Sequence, residues 1–276
     1  PRVLVLDEPT SSLSTAEVDR LLKTVQGLAA RGVAILYVSH RMDEIQRIAH
    51  SVTVMRDGQH VASLPIAQAP TVSIVRLMTG GLLATTPAPE RQRVPGRVAL
   101  SVSGLHTDAK LRAVDLEVRT GEIVGLAGLL GAGRTELLRA IYGLDTATAG
   151  QVQVFGQPMD RRTPRMMLRT GVALAPEDRK HDGLVLGMGM AHNLVLSSLH
   201  KIVRRGLLSH RRQVHLAQGA VNRLAIKASS LDVTAQSLSG GNQQKIVLGR
   251  CLNADVRVLL LDEPTRGVDI AAKEQI

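Results

Sequence analysis

Two pairs of adjacent carboxylates have the residue types needed to bind a metal ion and activate water. Asp7-Glu8 and Asp262-Glu263 each end a run of four apolar residues and precede Pro-Thr, at an offset of 255 positions. The aspartate of such a pair can face Mg²⁺ through water, while the glutamate polarises an attacking water. Either pair alone could also be surface or helix-capping carboxylates. Their repetition in the same context favours the chemical role.

A glycine-rich turn at residues 128–135 has the spacing of a phosphate-binding loop. Two glycines five positions apart precede Arg134 and Thr135, although lysine is expected at 134. A helix N-terminus and free N–H groups would face the phosphates, and an ordinary strand-to-helix turn is the alternative. The planar guanidinium of Arg134 puts the geometry and rate of such a site in question. The candidate nucleotide-binding residues are Gly128, Gly131, Ala132, Gly133, Arg134, Thr135 and Glu136.

A serine and two glycines stand at the start of another apolar helical pattern, in the segment Leu-Ser-Gly-Gly-Asn-Gln-Gln-Lys at 238–245. This helix end could hold an anion, because the helix dipole and free N–H groups attract negative charge such as a γ-phosphate. A serine cap with flexible glycines is the simpler structural interpretation. The candidate ligand-binding residues in this segment are Ser239, Gly240, Gly241 and Gln243.

The elements that must position these residues follow a β-α-β order. Residues 3–6, 33–38, 123–127 and 258–261 are apolar runs typical of strands buried on both faces of a parallel sheet. Between the first two, Ser14 and Glu17 have capping-box spacing, and a helical pattern continues to Gly32. Open α/β sheets bind ligands at the carboxyl ends of their strands, which is where both Asp-Glu pairs lie.

The repeat at offset 255 predicts two copies of one domain, both incomplete, with their strands in two separate sheets. Because the chain opens at Pro1 inside a strand pattern, we expect an internal fragment of a longer polypeptide. Residues 83–97 lose all periodicity and collect three prolines, which is typical of a linker. The predicted divisions are 1–82 for the C-terminal part of the first domain, 83–97 for the linker, and 98–276 for the second domain.

Composition excludes some classes of function. Aromatic residues make up only 1% of the 276 residues, so no stacking platform for single-stranded nucleic acid can be built. The single Cys251 excludes an intrachain disulfide framework and fits a reducing cytoplasm, with core filling as its expected role. The net charge of +10 is concentrated at 160–223, where twelve Lys/Arg face four Asp/Glu. This excess indicates either an anionic neighbour, such as lipid headgroups or nucleic acid, or a solvated helical face.

Taken together, the motifs resemble those of ABC-type ATPases. The phosphate-loop pattern, the LSGGNQQK segment and LLLDEPT occur in that family's order, over essentially the whole chain. The resemblance implies a P-loop NTPase fold of the α/β class, with a mainly parallel sheet, a helical subdomain and an antiparallel β subdomain. It also implies ATP and Mg²⁺ as cofactors, Glu8 and Glu263 as catalytic residues, and Asp7, Asp262 and Thr135 as metal ligands.

Three further residues acquire roles through this resemblance. His40, which follows the strand pattern at 33–38, matches the switch histidine that contacts the γ-phosphate, although a histidine at a strand end is more often structural. Glu177 stands where the family usually has the Q-loop glutamine. Asp269 matches the D-loop aspartate, whereas its counterpart in the first copy is Ser14.

Several segments are similar to the double-domain ATP-binding subunits of bacterial monosaccharide importers of the ribose, galactose and xylose type. These are GLLGAGRTE, PEDRK, LSGGNQQK and DEPTRGVD. The resemblance implies ATP hydrolysis that powers import through an integral-membrane permease and a periplasmic sugar-binding protein. It further implies no direct sugar contact, a peripheral location on the cytoplasmic face of the inner membrane, and poor activity of the isolated fragment. Met188, Met190, His192 and Asn193 are expected in the helical subdomain near the surface that receives the permease, and for the two methionines core packing is the alternative.

Other functions stay open. A nucleoside or autoinducer importer would carry the same ATPase subunit, because this subunit does not touch the solute. A soluble ABC ATPase acting on nucleic acid or ribosomes is favoured by the net charge but disfavoured by the short proline-rich linker and the few aromatics, so no nucleic acid partner is expected. A non-hydrolysing regulatory domain is suggested by Arg134.

Overall fold

The computed structural model describes residues 1–10, 13–56, 58–81, 96–108, 110–129, 131–268 and 270–276. These residues form two compact units, one of 1–81 with 270–275 and one of 96–268. The predicted linker at 83–97 lies almost entirely outside the described residues. The predicted domain limits therefore stay predictions.

The first unit alternates strands and helices. Its elements are β1 (Val3–Asp7), α1 (Thr15–Ala30), β2 (Ala34–Val38), α2 (Met42–Ile48), β3 (Ser51–Arg56), β4 (Gln59–Pro65) and α3 (Thr71–Thr79), with a 3₁₀ turn at Ile66–Gln68. β1 pairs with β2 in parallel, and β3 pairs with β4 in antiparallel orientation. Helix α1 begins as its capping box predicts, because the Ser14 N–H donates to Glu17 Oε2 at 2.8 Å.

The strands β1 and β2 form where the sequence predicts them, but burial on both faces is wrong. Leu4 and Leu6 are partly buried, whereas Val3 and Val5 are 62% and 60% exposed. Side chains alternate between the two faces of a strand, so this pattern means that only one face of the two-stranded sheet is covered. An unbroken apolar run cannot show how many faces are covered.

The second unit carries the remaining elements. They are β5 (Val98–His106), β6 (Val114–Arg119), α4 (Arg134–Tyr142), β7 (Ala149–Val154), β8 (Gln157–Pro158), α5 (Pro164–Arg169), β9 (Val172–Ala175), α6 (Met190–Val195), α7 (Leu199–Ile202), β10 (Val203–Arg204), β11 (Leu207–Leu208), α8 (His210–Leu224), α9 (Gly240–Asn253) and β12 (Val258–Leu261). Shorter turns are 3₁₀ at Leu196–Ser198 and Ala235–Ser237 and a π turn at Arg179–Gly183. The last helix, α10 (Ile270–Gln275), belongs to the first unit.

This unit has three parts, as the fold class predicts. An antiparallel sheet has the strand order β6-β5-β7-β8, a parallel pair joins β9 to β12, and helices α6, α8 and α9 pack together. Strand β9 contributes side chains to two hydrophobic cores. Val172 packs with the antiparallel sheet and α4, whereas Ala173 and Ala175 pack with helices α6, α8 and α9. The carboxyl ends of β9 and β12 are thereby held between both cores.

The buried strand predicted at 123–127 is absent. These residues have no assigned strand structure, and Ile123 is 76% exposed. An extended segment becomes a strand only when a neighbour pairs with its backbone, and none of the strands within the described residues does so here. The apolar pattern therefore predicted a strand, but no strand among the described residues forms backbone hydrogen bonds with this segment.

The expected permease-facing residues divide between surface and core. Met190 is 1% exposed and Asn193 is fully buried, whereas His192 is exposed. The Asn193 side chain accepts from the Val185 N–H at 2.9 Å and donates to the Val185 carbonyl at 3.0 Å. Surface placement is thus wrong for Asn193, because this asparagine satisfies the backbone of the segment before α6, whereas Met190 follows the core-packing alternative.

Cys251 is expected to resist thiol reagents in the folded chain. It is 4% exposed within α9, and burial raises its pKa to about 11, so little thiolate forms at neutral pH. Labelling with a disulfide reagent should therefore be slow under native conditions and complete after addition of denaturant. Rapid stoichiometric labelling of the folded chain would contradict this burial.

Candidate functional site

The start of α4 offers unoccupied backbone donors, as the phosphate-loop spacing predicts. Gly131 and Gly133 have φ of +79° and +89°, and no side chain caps the helix. A β-carbon at Gly128 would come within 2.9 Å of the Ala132 side chain, so glycine is required for the close turn. The uncapped first turn can donate hydrogen bonds to an anion, and the helix dipole favours negative charge at this end.

The two glutamates of the repeated motif share an unusual backbone conformation. Glu8 has φ of +46° and Glu263 has φ of +44°, in the left-handed region that non-glycine residues rarely adopt. In both motifs a backbone N–H donates to the neighbouring strand, from Glu8 to the Val38 carbonyl and, one position earlier in the second motif, from Asp262 to the Ala175 carbonyl. Both motifs therefore turn sharply at the carboxyl end of a parallel strand. This is the position where a carboxylate can leave the sheet edge to meet a ligand.

Glu8 contacts His40 in the first unit. Glu8 Oε1 lies 2.6 Å from His40 Nδ1, and both side chains remain partly accessible. His40 lies two residues after the end of β2, and Glu8 directly follows β1. Because β1 and β2 are parallel neighbours, both residues lie at the same edge of the sheet. A glutamate and a histidine at hydrogen-bond distance can accept and relay a proton.

Glu263 contacts an arginine instead. Arg134 Nη2 lies 2.9 Å from Glu263 Oε1, joining the glycine-rich turn to the end of β12. Both side chains are partly exposed. The permanently charged guanidinium must leave this carboxylate before the carboxylate can accept a proton from water.

Thr135 and Glu177 are also brought together. The Thr135 hydroxyl donates to Glu177 Oε2 at 3.3 Å, and Arg266 pairs with the other oxygen of the same carboxylate. Glu177 thus connects the start of α4, the end of β9 and the turn after β12. Sequence reasoning missed Arg266, although it lies in the Asp-Glu-Pro-Thr-Arg segment, because nothing in the spacing shows where a long side chain reaches.

Asp262 has the surroundings of a metal-facing carboxylate. It is 6% exposed, and among the described residues no group donates a hydrogen bond to its carboxylate. Asp7, its counterpart in the first unit, is exposed. Within the described residues no three His, Cys, Asp or Glu side chains form a cluster able to hold a metal ion. A cation here would need oxygen ligands from a bound molecule as well as from protein.

The segment at 238–245 begins a helix, as predicted. Ser239 caps α9 and accepts a hydrogen bond from the Asn242 side chain at 3.0 Å. Gln243 does not point outward, because it is 4% exposed and its amide donates to the Ala235 carbonyl at 3.0 Å. Gly241 is buried as well. In this arrangement Gln243 supports the helical part, whereas Ser239 and Gly240 are accessible at the start of α9.

Arg179 holds the start of α9 close to the turn after β12. It donates to the carbonyls of Arg266 at 2.6 Å and Gly267 at 3.0 Å, and its guanidinium lies where a β-carbon of Gly240 would be. Burial lowers the pKa of Arg179. Beside it is a pocket of about 360 Å³ bordered by Lys180, Leu238, Gly240 and Gln243. Sequence reasoning singled out Glu177 in this segment and missed Arg179.

The side chain of Glu136, a predicted nucleotide-binding residue, has a partner within the protein. Its carboxylate pairs with Lys110, and this hydrogen bond lowers the pKa of Glu136. The residue therefore links α4 to the loop after β5. Asp269, the predicted D-loop aspartate, lies outside the described residues.

A buried carboxylate supports the turn that carries His40. Glu44 is fully buried and accepts hydrogen bonds from Thr10 at 2.9 Å and Tyr37 at 2.8 Å. Arg41 lies 3.1 Å from the same carboxylate. The group ties the motif after β1 to β2 and α2, and it was not anticipated because these residues are up to 34 positions apart.

Comparison with known proteins decides the family. The model of the ABC transporter family matches residues 111–266, more than half of the chain. The chain belongs to the ABC transporter family. The match includes the glycine-rich turn, α9 and the motif after β12, which are the parts of the second unit assembled above.

Relatives and solved structures agree with this membership. A Burkholderia lata protein, named for ribose/galactose/methyl galactoside import and ATP binding, is 45% identical over 276 residues, 100% of this chain and 54% of that protein. The ribose import ATP-binding protein RbsA of Yersinia pestis is 43% identical over 275 residues, with coverage of 100% and 54%. This chain thus spans about half the length of these relatives.

The fold is that of ATP-binding cassettes. A dimeric ATP-binding cassette, solved in a post-hydrolysis state with ADP and Pi, has a TM-score of 0.55 and 21% identity to this chain. The likeness covers 64% of this chain and 79% of that one. At this identity the match establishes the α/β fold of the P-loop NTPases.

Proposed function

We propose that this chain is part of an ATP-hydrolysing subunit that powers monosaccharide import through a membrane permease. The observation that carries the proposal is the junction at the start of α4. There the uncapped helix N-terminus lies beside two carboxylates, because Thr135 contacts Glu177 after β9 and Arg134 contacts Glu263 after β12. The names of the relatives supply the solute class, since they are described as sugar import proteins.

In this function the residues divide into three roles. The N–H groups of Gly131, Gly133 and Arg134 would hold phosphate oxygens. Glu8 and Glu263 would polarise the attacking water, with His40 beside Glu8. Ser239 and Gly240 would present the N-terminus of α9 to a phosphate.

Magnesium fits the oxygen donors present. Thr135 Oγ1 and the carboxylate of Asp262, a residue that is 6% exposed, would hold the ion in the second unit, and Asp7 would do so in the first. Mg²⁺ prefers few protein ligands together with phosphate oxygens and water, in keeping with the small donor set. When bound, the ion would neutralise phosphate charge.

The partners and location follow from the same proposal. We infer an integral-membrane permease, a periplasmic sugar-binding protein that acts through it, and a peripheral position on the cytoplasmic face of the inner membrane. The sugar itself would not touch this chain. A nucleoside or autoinducer importer would use the same residues, so transport assays with several solutes are needed to define the cargo.

Thr135→Val is expected to weaken binding of Mg-ATP by about 10- to 100-fold, because it removes a hydroxyl hydrogen bond to a charged group. Calorimetric titration of the chain with Mg-ATP measures this loss. Thr146→Val, beyond the other end of α4, is the matched control and should bind like the unaltered chain. Equal affinity of both variants would contradict the placement of the phosphates at Thr135.

A second candidate is that the site of the second unit binds ATP without rapid hydrolysis. The observation that favours it is the ion pair between Arg134 and Glu263. A bound guanidinium withholds the carboxylate from water, so this site would regulate rather than drive transport. Both candidates predict little change in total turnover when Glu263 is lost. They differ in a Glu8→Gln background, where a hydrolysing second site leaves slow turnover that Glu263→Gln then removes, and a regulatory site leaves none.

A further inference from the structure

The surface that the proposed ATPase function leaves unexplained is a short hairpin between α7 and α8. Strands β10 and β11 pair in antiparallel orientation and are joined by Arg205 and Gly206, with φ of +52° and +83°. Two positive φ values in a two-residue loop form a tight turn that matches the twist of the strands. Buried Ile202 anchors its base, where Ser209 donates its N–H to the Ile202 carbonyl at 2.8 Å.

The hairpin exposes large apolar side chains. Leu207 and Leu208 are 75% and 64% exposed, and neighbouring Val203 is 37% exposed. Single exposed leucines are common on protein surfaces, but two at the tip of a projecting hairpin form an apolar wedge. Such a wedge is stabilised when it enters an apolar environment.

Positive charge surrounds this wedge. Arg204, Arg205 and Arg211 are exposed, and none of them forms an ion pair with any residue in the described part of the chain. From 183 to 231 the sequence has seven Lys/Arg and no Asp or Glu. Lys201 alone of the nearby cations has an acidic partner, Asp255, among the described residues. The hairpin is therefore both apolar at its tip and cationic at its sides.

An apolar tip with cationic sides favours some partners of a basic surface over others. Cytoplasmic loops of membrane proteins carry an excess of Lys and Arg, so they would repel the hairpin. Nucleic acid would match the charge, but proteins that bind single strands combine positive charge with aromatic stacking, and residues 199–212 contain no Phe, Tyr or Trp. The inner surface of a bilayer offers both anionic headgroups and an apolar interior within reach of a leucine.

We propose that the hairpin of residues 203–208 binds the surface of an anionic bilayer, with Leu207 and Leu208 inserted at the headgroup level and the flanking arginines on lipid phosphates. The contact is peripheral. Among the described residues, every helix is too short or too polar to cross a bilayer. Lipid contact would orient the second unit independently of any nucleotide.

Vesicle sedimentation of the full chain tests the proposal, with vesicles of phosphatidylcholine alone or with phosphatidylglycerol added. We expect binding only when phosphatidylglycerol is present, and weaker binding at high salt. Arg204→Ser with Arg205→Ser should weaken it roughly thirtyfold, from the usual contribution of a basic residue near an anionic surface. Leu207→Ser with Leu208→Ser should weaken it by about tenfold or more.

The matched control also removes two positive charges, but from a surface away from the hairpin in the sequence. Arg161→Ser with Arg165→Ser alters two exposed arginines at α5 and should leave binding within about twofold of the unaltered chain. Circular dichroism confirms that each variant is folded. Equal weakening by the control pair would show that net charge alone is responsible and would overturn the proposal. Displacement of the vesicles by single-stranded RNA, with the leucine variant binding RNA normally, would also overturn it in favour of nucleic acid.

Discussion

Glu8→Gln is expected to abolish most ATP hydrolysis and sugar uptake by the complete protein, whereas Glu263→Gln should leave a substantial fraction of both. Loss of a positioned general base typically lowers a rate by about 10²- to 10⁴-fold. The carboxylate of Glu263 is bound by Arg134, so under the proposed function we expect the site that it serves to start from a lower rate. Damage to a slow site changes the total turnover little.

The two glutamates form a matched pair within one chain. They share the surrounding motif, and their φ angles of +46° and +44° are nearly identical. Their partners differ, since Glu8 lies 2.6 Å from His40 and Glu263 lies 2.9 Å from Arg134. A difference in activity between Glu8→Gln and Glu263→Gln would therefore arise from the different partners of the two glutamates and not from their backbone conformation.

ATPase and uptake assays on the complete protein with its permease measure this comparison. Equal losses from both substitutions would mean that Arg134 supports a working phosphate loop. Loss only from Glu263→Gln would reverse the assignment of the faster and slower sites. Arg134→Lys offers an independent check, because a lysine keeps the charge without the planar fork and should make Glu263 more important.

Glu44→Ala is expected to lower the free energy of unfolding of the first unit by about 3 kcal/mol. This value is near the lower end of the range for removing one partner of a buried ion pair. The substitution leaves the hydroxyls of Thr10 and Tyr37 without their acceptor. The partner Arg41 is 40% exposed, so water can solvate it after the change. The effect should reach His40, because β2 and α2 flank it.

Denaturant unfolding in a Tyr142→Phe background measures this loss, since Tyr37 is then the only tyrosine and reports on the first unit. Asp43→Asn, an exposed carboxylate next to Glu44 on α2, is the control and should change stability little. If the two substitutions had equal effects, the buried group would not be important for stability.

The pH dependence has a definite sign. Burial, and then the hydrogen bond to Glu44, raise the pKa of Tyr37 above its ordinary value. The unfolded chain releases this proton near pH 10, while the folded chain retains it. The stability contributed by Tyr37 is therefore present below about pH 10 and is lost as the pH rises above it. Ultraviolet absorbance of tyrosinate follows the titration in the same Tyr142→Phe background.

Local features were predictable from the sequence. The capping box at Ser14 and the cap at Ser239 depend on residues close in the chain. The glycines at 131 and 133 likewise adopt the turn that their spacing predicts. Such features are set by backbone geometry over a few residues, which sequence spacing records directly.

Tertiary features were not predictable in the same way. The segment 123–127 has an apolar pattern, but no strand in the described part of the chain pairs with it, which a pattern cannot reveal. Gln243 turns inward to Ala235, and Glu136 pairs with Lys110, because long polar side chains take the nearest partner in space. The pairing of Arg134 with Glu263 spans 129 positions, from 134 to 263, and depends on how α4 docks beside β12.

The left-handed conformation of Glu8 and Glu263 has a consequence for how this chain can evolve. A side chain in that region costs about 1–2 kcal/mol relative to glycine, which adopts it freely. Selection for a more robust fold alone would thus drive both positions toward glycine and discard the carboxylate. Under the proposed function, each of the two glutamates lowers the stability of the fold in exchange for a catalytic carboxylate. Attempts to improve the heat resistance of this protein by consensus design should leave these two strained positions untouched.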